Sequence, residues 1–414
     1  MDYLIKAPLK FSTTVHLPAS KSISNRILLL NTLSSAPQEI QNLSDCDDTN
    51  VMALALQTQQ PEMDIKAAGT AMRFLTAYLA GENGIWTITG TERMRNRPIK
   101  ILVDALNALG AHIEYTDKEG FPPLRINGRP LEGGEVWLDG DVSSQYISAL
   151  LMVAPLMANG LRLHLKSEVI SKPYLQLTIR LMNEFGVAVS GEGHTLSVQP
   201  QSYNPVPFIV ESDWSAASYW YEMVALSDDA EVTLKGLFAN SLQGDTQIVN
   251  LFRLLGVETI FTPTGVVIKR KQRSINESFE YDFADMPDMA QTFAITCAML
   301  DIPFCFSGLK SLKIKETNRL AALQTELLKL GFLLTERNDQ ILQWNGKRTK
   351  CATSPIIHTY EDHRMAMAFA PVAIRYADGI RIADCEVVSK SYPYFWDDLL
   401  KAGFQLTYLE KLVF

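Results

Sequence analysis

Gly69-Thr70-Ala71-Met72-Arg73 opens on small and polar residues, carries a cation, and runs straight into an apolar helical stretch. A short polar or charged run before an apolar helical stretch returns at Ser143-Ser144-Gln145, Asp213-Trp214-Ser215, Pro287-Asp288-Met289 and Asp362-His363-Arg364. From Gly69, Ser143, Asp213, Asp288 and Asp362 the steps are 74, 70, 75 and 74 residues. Upstream, Lys21-Ser22-Ile23-Ser24-Asn25-Arg26 opens another. A period that long marks a repeated supersecondary unit. Each opening also places polar groups at a helix N-terminus, where unpaired N–H groups and the positive end of the dipole favour anions.

A second series of helices lies between the first. Pro98 to Gly110, Pro173 to Gly186, Gly244 to Gly256, Glu316 to Gly331 and Pro393 to Gly403 are amphipathic stretches that close on glycine, and Asp47 to Gln57 is a shorter sixth member. Ile101-Leu102, Leu106 and Leu109 follow helical spacing, and Gly110 fits a C-terminal cap. The alternating runs that follow, such as Ala111-His112-Ile113-Glu114-Tyr115 and Val187-Ala188-Val189, read as strands. The unit is therefore strand, helix, strand, helix, strand, strand, six times over.

Composition agrees with a large α/β protein. The 414 residues are 47% hydrophobic, enough for more than one core, and six units of about seventy residues suggest two domains of three units each. A net charge of −8 gives no support for non-specific nucleic-acid binding. No apolar run reaches the roughly 18 residues that suggest a membrane span; Met365 to Ile374 has ten. The N-terminus does not read as a signal peptide. The five cysteines, at 46, 297, 305, 351 and 385, show no metal-binding spacing and read as reduced, mostly buried thiols of a cytoplasmic protein.

Cations gather at the helix starts despite the acidic total: Lys21, Arg26, Arg73, Arg93, Arg97, Lys172, Lys313, Lys315, Arg319, Arg364 and Lys390. A merely stabilising pattern would put Asp or Glu there, because cations oppose the dipole. Repeated violation of a local rule is expected at functional sites. So many cations suggest a ligand with more than one anionic group. Two carboxylates stand among them, Asp288 at the start of an apolar helix and Glu316 between Lys315 and Arg319. Either can be an ordinary helix-start group. A carboxylate beside cations can also take a proton from a substrate hydroxyl within reach.

Ten ordered motifs resemble the 5-enolpyruvylshikimate-3-phosphate synthases. They begin with Leu17-Pro18-Ala19-Ser20-Lys21-Ser22-Ile23-Ser24-Asn25-Arg26, Ala68-Gly69-Thr70-Ala71-Met72-Arg73 and Arg93-Met94-Arg95-Asn96-Arg97-Pro98-Ile99. Val142-Ser143-Ser144-Gln145-Tyr146, Ser171-Lys172-Pro173-Tyr174, Gln243-Gly244-Asp245 and Pro287-Asp288 follow. Lys315-Glu316-Thr317-Asn318-Arg319, Asp362-His363-Arg364-Met365-Ala366-Met367 and Lys390-Ser391-Tyr392-Pro393 complete the series. A lone Ser-Lys would mean little; ten in order, from residue 17 to residue 393, are specific.

The resemblance implies a two-domain inside-out α/β barrel of six βαβαββ repeats, three per domain, the domains facing one another across a cleft. Carried over, residues 1–19 with 213–414 form one domain and residues 20–212 the other. It implies transfer of the enolpyruvyl group of phosphoenolpyruvate to the 5-hydroxyl of shikimate 3-phosphate, with release of phosphate. By the same carry-over Lys21, Ser22, Arg26, Ser143, Ser144, Gln145, Ser171, Tyr174, Asp288 and Lys315 hold shikimate 3-phosphate. Lys21, Gly69, Arg97, Gln145, Arg319, Arg364 and Lys390 hold phosphoenolpyruvate. Asp288 takes the hydroxyl proton, while Glu316, with Lys21, handles the proton at C3; His363 is a weaker candidate. No metal or cofactor is expected. The partners expected are the two small-molecule substrates, with no nucleic acid and no membrane, and the chain is expected to act as a cytoplasmic monomer.

Several positions depart from the family pattern: Ala67 and Ser311 where Asn is usual, Asn318 for Asp, Lys313 for Arg, and Phe74 for Pro. The segment from Asp48 to Gly69 is also short. None removes a charge assigned to chemistry. The sister transferase acting on UDP-N-acetylglucosamine commonly carries a Cys in the loop that is Gly90 to Arg97 here, where none stands. An RNA-terminal-phosphate enzyme on related repeats would call for a basic, aromatic stripe. A non-enzymatic repeat scaffold would not need Asp288, Glu316 and cations at equivalent helix starts.

Overall fold

Each polar opening begins a helix, or the turn leading into one, in the computed structural model, which describes residues 1–58, 60–275 and 277–409. The helices are Lys21–Leu33, Gly69–Gly81, Ser144–Val153, Trp214–Leu226, Ala290–Met299 and His363–Phe369. The fifth is entered through a single 3₁₀ turn, Pro287–Met289. Side chains one residue before the helix cap several of them. The Ser20 hydroxyl accepts from the Ile23 N–H at 3.4 Å, Asp213 from Ala216 at 3.1 Å and Asp362 from Arg364 at 2.9 Å. These helices are buried nearly all round; in Trp214–Leu226 only Ser215 is not. A helix apolar on every face belongs inside a core.

The interleaved helices Asp47–Thr58, Lys100–Ala108, Lys172–Glu184, Ile248–Leu254, Arg319–Lys329 and Phe395–Lys401 each bury one face. In Lys100–Ala108 that face is Leu102, Val103, Ala105 and Leu106. Gly110, Gly186, Gly256, Gly331 and Gly403, which close this series, all take left-handed φ between 81° and 102°. An L side chain is disfavoured there, which is why glycine punctuates the repeat.

Among the described residues, five sheets share one plan: a parallel pair, then two antiparallel additions. In one, Glu62–Asp64 lies parallel to Gly84–Thr89, with Met63 opposite Ile88; Gly84–Thr89 pairs antiparallel with Leu124–Gly128, and that strand with Ile113–Tyr115. The parallel pair needs a crossover, and the buried helix Gly69–Gly81 supplies it. The same order recurs in the sheets containing Gly134–Leu138, Phe11–His16, Phe279–Asp282 and Ile356–Ile357. The sixth sheet departs from the expected full repeat: it is two parallel strands, Phe208–Ile209 beside Ile40–Gln41. Two strands come from the N-terminus. Asp2–Lys6 pairs with Ile380–Ile382 and Gln405–Leu409, and Phe11–His16 with Ala230–Lys235. The chain thus forms two compact units, Met1–Pro18 with Glu211–Phe414, and Ala19–Val210. Among the described residues no helix is long and apolar enough to cross a membrane. All five cysteines are free thiols; Cys46, Cys297 and Cys385 are buried and Cys351 is exposed.

One core group is chemically out of place. Glu222, on the buried helix Trp214–Leu226, has no exposure, and among the described residues neither carboxyl oxygen has a hydrogen-bond partner. Burial pushes its carboxyl well above the usual range. A raised carboxyl binds its proton in the folded state and releases it on unfolding. Stability therefore falls as pH rises above the unfolded value of about 4.3, by about 1.4 kcal/mol per pH unit, until the folded carboxyl itself titrates. Glu222→Gln removes that dependence. Urea denaturation at pH 5 and pH 7 should show the variant gaining on the wild type at the higher pH; parallel losses would place Glu222 in a charged, satisfied state.

Candidate active site

In the unit of residues 211–414 the helix starts bring together five of the residues singled out from the sequence. Asp288 sits in the 3₁₀ turn that opens the Ala290–Met299 helix. Arg319 is the first residue of Arg319–Lys329, whose N-terminus is capped by the Asn318 side chain on the Ala321 N–H at 3.2 Å. Asparagine caps here as the usual aspartate would. The Arg319 guanidinium, 1% exposed, is the hub: Nη1 lies 2.7 Å from Asp288 Oδ1, Nη2 2.8 Å from Glu316 Oε2, and Nε 2.7 Å from Asp362 Oδ2. Lys315 Nζ stands 3.4 Å from Asp288 Oδ1 and Arg364 Nη2 3.5 Å from Asp288 Oδ2.

The cations are not left waiting for an anion: Lys315, Arg319 and Arg364 are balanced by Asp288, Glu316 and Asp362. Asp362, read from the sequence only as a helix opening, is the most buried of the three acids, with no exposure. Burial alone would raise the Asp288 carboxyl, but Lys315, Arg364 and Arg319 outweigh it and hold the group well below the usual carboxylate range. For Arg319, burial opposes the charge, and Asp362, Glu316 and Asp288 more than restore it. An anionic substrate entering here competes with the acids for cations, and whatever it takes from Asp288 makes that carboxylate more basic.

Neighbouring groups complete the picture. Asp245 is buried and hydrogen-bonded by the Ser215 hydroxyl. Burial pushes its carboxyl up to about 6, against that hydrogen bond and Arg364. Lys390 Nζ donates to the Glu361 carbonyl at 2.8 Å, beside Asp362. His363 is 2% exposed at the first position of its helix, with Nδ1 3.9 Å from Asp362 Oδ1. Lys313 is drawn elsewhere, pairing with Glu336 at 3.2 Å and Asp339 at 2.6 Å.

The unit of residues 19–210 carries its own set. Lys21, first in its helix, pairs with Asp48 at 3.3 Å, a partner that sequence reasoning had not singled out. Arg26 is buried: Nε donates to Thr178 Oγ1 at 2.7 Å, Nη1 to the Ser22 carbonyl at 2.9 Å and Nη2 to the Tyr174 carbonyl at 3.3 Å. Its guanidinium also lies 5.5 Å from the centre of the Phe74 ring. Burial lowers it to about 10, still charged at neutral pH. Arg26 thus ties Ser22 to Tyr174, 152 residues away, as well as offering charge. Ser171, immediately before the Lys172–Glu184 helix, is left-handed at φ 58°. Ser143 caps its helix through the Gln145 N–H at 3.3 Å, Ser144 follows it, and Gln145 Nε2 donates to Thr70 Oγ1 at 3.2 Å, joining two helix starts.

Gly69 and Arg97 are in close contact. A Cβ built on Gly69 would fall 2.5 Å from Arg97 Nη1 and 2.9 Å from Nη2. Arg97 is 9% exposed, and among the described residues its Nε has no hydrogen-bond partner. Arg73 proves to be a brace: Nη1 donates to the Gly69 carbonyl at 3.0 Å and Nη2 to the Pro98 carbonyl at 3.1 Å. It fixes the glycine helix start against the segment that carries Arg97.

Comparison with known proteins assigns this pattern. The family profile for EPSP synthase (3-phosphoshikimate 1-carboxyvinyltransferase) matches residues 5–62 and 55–399. The chain is 57% identical over 405 residues to a 3-phosphoshikimate 1-carboxyvinyltransferase of Bacteroides fragilis, covering 98% of each chain. A protein of that name from Vibrio cholerae serotype O1 is 37% identical over 427 aligned positions, covering 96% of this chain and 98% of its own. Among solved structures, an EPSP synthase from Acinetobacter baumannii superposes with a TM-score of 0.75 at 19% identity, covering 98% of this chain and 99% of that one. The structural likeness carries the fold and the sequence match carries the membership: the chain belongs to the EPSP synthase (3-phosphoshikimate 1-carboxyvinyltransferase) family.

Proposed function

We propose how this chain's residues divide the work of its family's reaction. The enolpyruvyl group of phosphoenolpyruvate passes to the 5-hydroxyl of shikimate 3-phosphate, and phosphate leaves. The hydroxyl oxygen bonds to C2 and its proton departs, while C3 gains a proton. The tetrahedral intermediate then gives that methyl proton back and expels phosphate, restoring the double bond. Asp288 accepts the hydroxyl proton. Glu316, with Lys21, serves the proton at C3. Lys21, Ser22, Arg26, Ser143, Ser144, Gln145, Ser171, Tyr174, Asp288 and Lys315 hold shikimate 3-phosphate. Lys21, Gly69, Arg97, Gln145, Arg319, Arg364 and Lys390 hold phosphoenolpyruvate, whose phosphate and carboxylate suit guanidinium forks.

The observation that best supports this division is the balanced cluster at Arg319. Its cations can turn from the cluster's acids to substrate oxygens, and preorganised charges of this kind stabilise an anionic transition state. On this reading the chain is a cytoplasmic monomer that takes small molecules and no nucleic acid. The test is phosphate release from phosphoenolpyruvate with shikimate 3-phosphate, with UDP-N-acetylglucosamine, and with neither. Release only with the first acceptor is expected; release with the sugar nucleotide would move the chain to the sister activity.

Gly69 supplies a sharper expectation. The Gly69→Ala methyl would meet the Arg97 guanidinium, and Arg73 pins the Gly69 carbonyl, so the Arg97 side chain has to give way. A phosphonate inhibitor slightly longer than phosphoenolpyruvate, such as glyphosate, should suffer more from that shift than the substrate. The inhibitor constant is expected to rise by a larger factor than the phosphoenolpyruvate KM. Equal rises would remove Gly69 and Arg97 from the part of the pocket assigned to them.

A further inference from the structure

The segment that delivers Asp362 and Arg364 is an awkward piece of backbone. Tyr360 and Glu361 are consecutive non-glycine residues at φ 56°, each in the sparsely populated left-handed region. Such a conformation persists only where its surroundings hold it. Glu326 does the holding. It lies on the Arg319–Lys329 helix with no exposure, and both of its oxygens are engaged. Oε1 accepts from the Tyr360 hydroxyl at 2.5 Å; Oε2 accepts from the His358 N–H at 3.1 Å and from Lys329 Nζ at 2.6 Å.

Arg319 and Glu326 are seven residues apart, two turns along one face of the same helix. Arg319 bonds Asp362, and Glu326 bonds Tyr360 and His358 in the same incoming segment. The segment is therefore fastened to the helix at two places, and the left-handed pair lies between them. Lys390 adds a third tie through the Glu361 carbonyl.

We infer that Glu326, acting through Tyr360, is a positioning residue for Arg364 and Arg319: it sets the register of the 358–362 segment against the helix. The inference rests on the assignment of Arg319 and Arg364 to phosphoenolpyruvate. Glu326 touches no substrate. With the Tyr360 tie lost, the segment can relax from its left-handed conformation, and Asp362 and Arg364 shift relative to Arg319. Misplacement by about 1 Å in such a clamp can cost up to about 100-fold.

The test compares Tyr360→Phe, which deletes only the hydroxyl, with Glu326→Gln and, as reference, Arg364→Lys. Steady-state constants for both substrates and the thermal midpoint are measured for each. Tyr360→Phe and Glu326→Gln are expected to raise the phosphoenolpyruvate KM about tenfold, with a change below about threefold in the shikimate 3-phosphate KM. A role in stability alone would lower the midpoint and leave both KM values in place. If Glu326→Gln does not fold, Tyr360→Phe decides the matter. An unchanged phosphoenolpyruvate KM in Tyr360→Phe, with Arg364→Lys raised, overturns the inference and leaves the site assignment standing. An unchanged KM in Arg364→Lys overturns the assignment and the inference with it.

Discussion

Asp288→Asn is expected to bind shikimate 3-phosphate and to lose turnover by about 10²- to 10⁴-fold, the usual cost of deleting one proton-transfer group. The substitution keeps the shape and one oxygen acceptor for the Arg319 guanidinium, which stands 2.7 Å away in the wild type. What it deletes is the negative charge shared by Lys315, Arg364 and Arg319. The wild-type carboxyl is held far down by those cations, so it is ionised across the working range. No acid limb of kcat/KM above about pH 4, where free aspartate titrates, should trace to Asp288. Single-turnover rates and a binding isotherm for shikimate 3-phosphate separate chemistry from affinity. Near wild-type turnover in the variant would remove Asp288 from the mechanism.

Arg319→Met carries the largest expected loss of stability. Arg319 contacts all three acids, and it is 1% exposed. Methionine fills much of the volume and leaves Asp362, itself unexposed, without its two guanidinium hydrogen bonds. Removing one partner of a buried ion pair costs about 3–5 kcal/mol, because the remaining charge stays in the interior. The pH dependence follows from the sign of the shift. A carboxyl held below its unfolded value, as Asp288 is, contributes stability above the unfolded pKa of about 3.9, and that contribution is lost as pH falls. The variant loses Arg319's share of this contribution and keeps the larger shares of Lys315 and Arg364, so the gap to wild type should hold from neutral pH to about pH 4 and narrow below it. Denaturant midpoints at pH 7.5, about pH 4 and about pH 3 measure it. Equal stability at pH 7.5 would mean that the cluster contributes nothing to holding the unit together.

The two variants probe different properties of one cluster, and both effects follow from its neutrality. Three cations around a site read, along the chain, as a demand for anions. In the folded unit that demand is already met by Asp288, Glu316 and Asp362. On the proposed assignment, substrate binding is an exchange of partners, in which a weakly basic Asp288 becomes a stronger base as its cations turn to phosphate or carboxylate oxygens.

The sequence by itself determined the repeat, because its punctuation is local. A capping side chain such as Ser20, Asp213 or Asp362 acts within three residues of itself. Each closing glycine satisfies a left-handed φ at its own position. An all-apolar helix must be buried whatever surrounds it. Those signals recur every seventy-odd residues, so the helix starts and the two helix series could be read along the chain. Two things escaped that reading. The reduced sixth sheet is one: Ile40–Gln41 finds its partner in Phe208–Ile209, far along the chain, and no local pattern states how many strands will gather there. The pairing of charges is the other. Arg319 meets Asp362 across 43 residues, Arg26 meets Thr178 across 152, and Glu326 meets Tyr360 across 34. Ion pairs and buried hydrogen bonds fall off within a few ångströms, so which acid neutralises which cation depends on where the helix starts converge. Only the tertiary structure decides that, and it turned a row of cations into a balanced cluster with Arg319 at its centre.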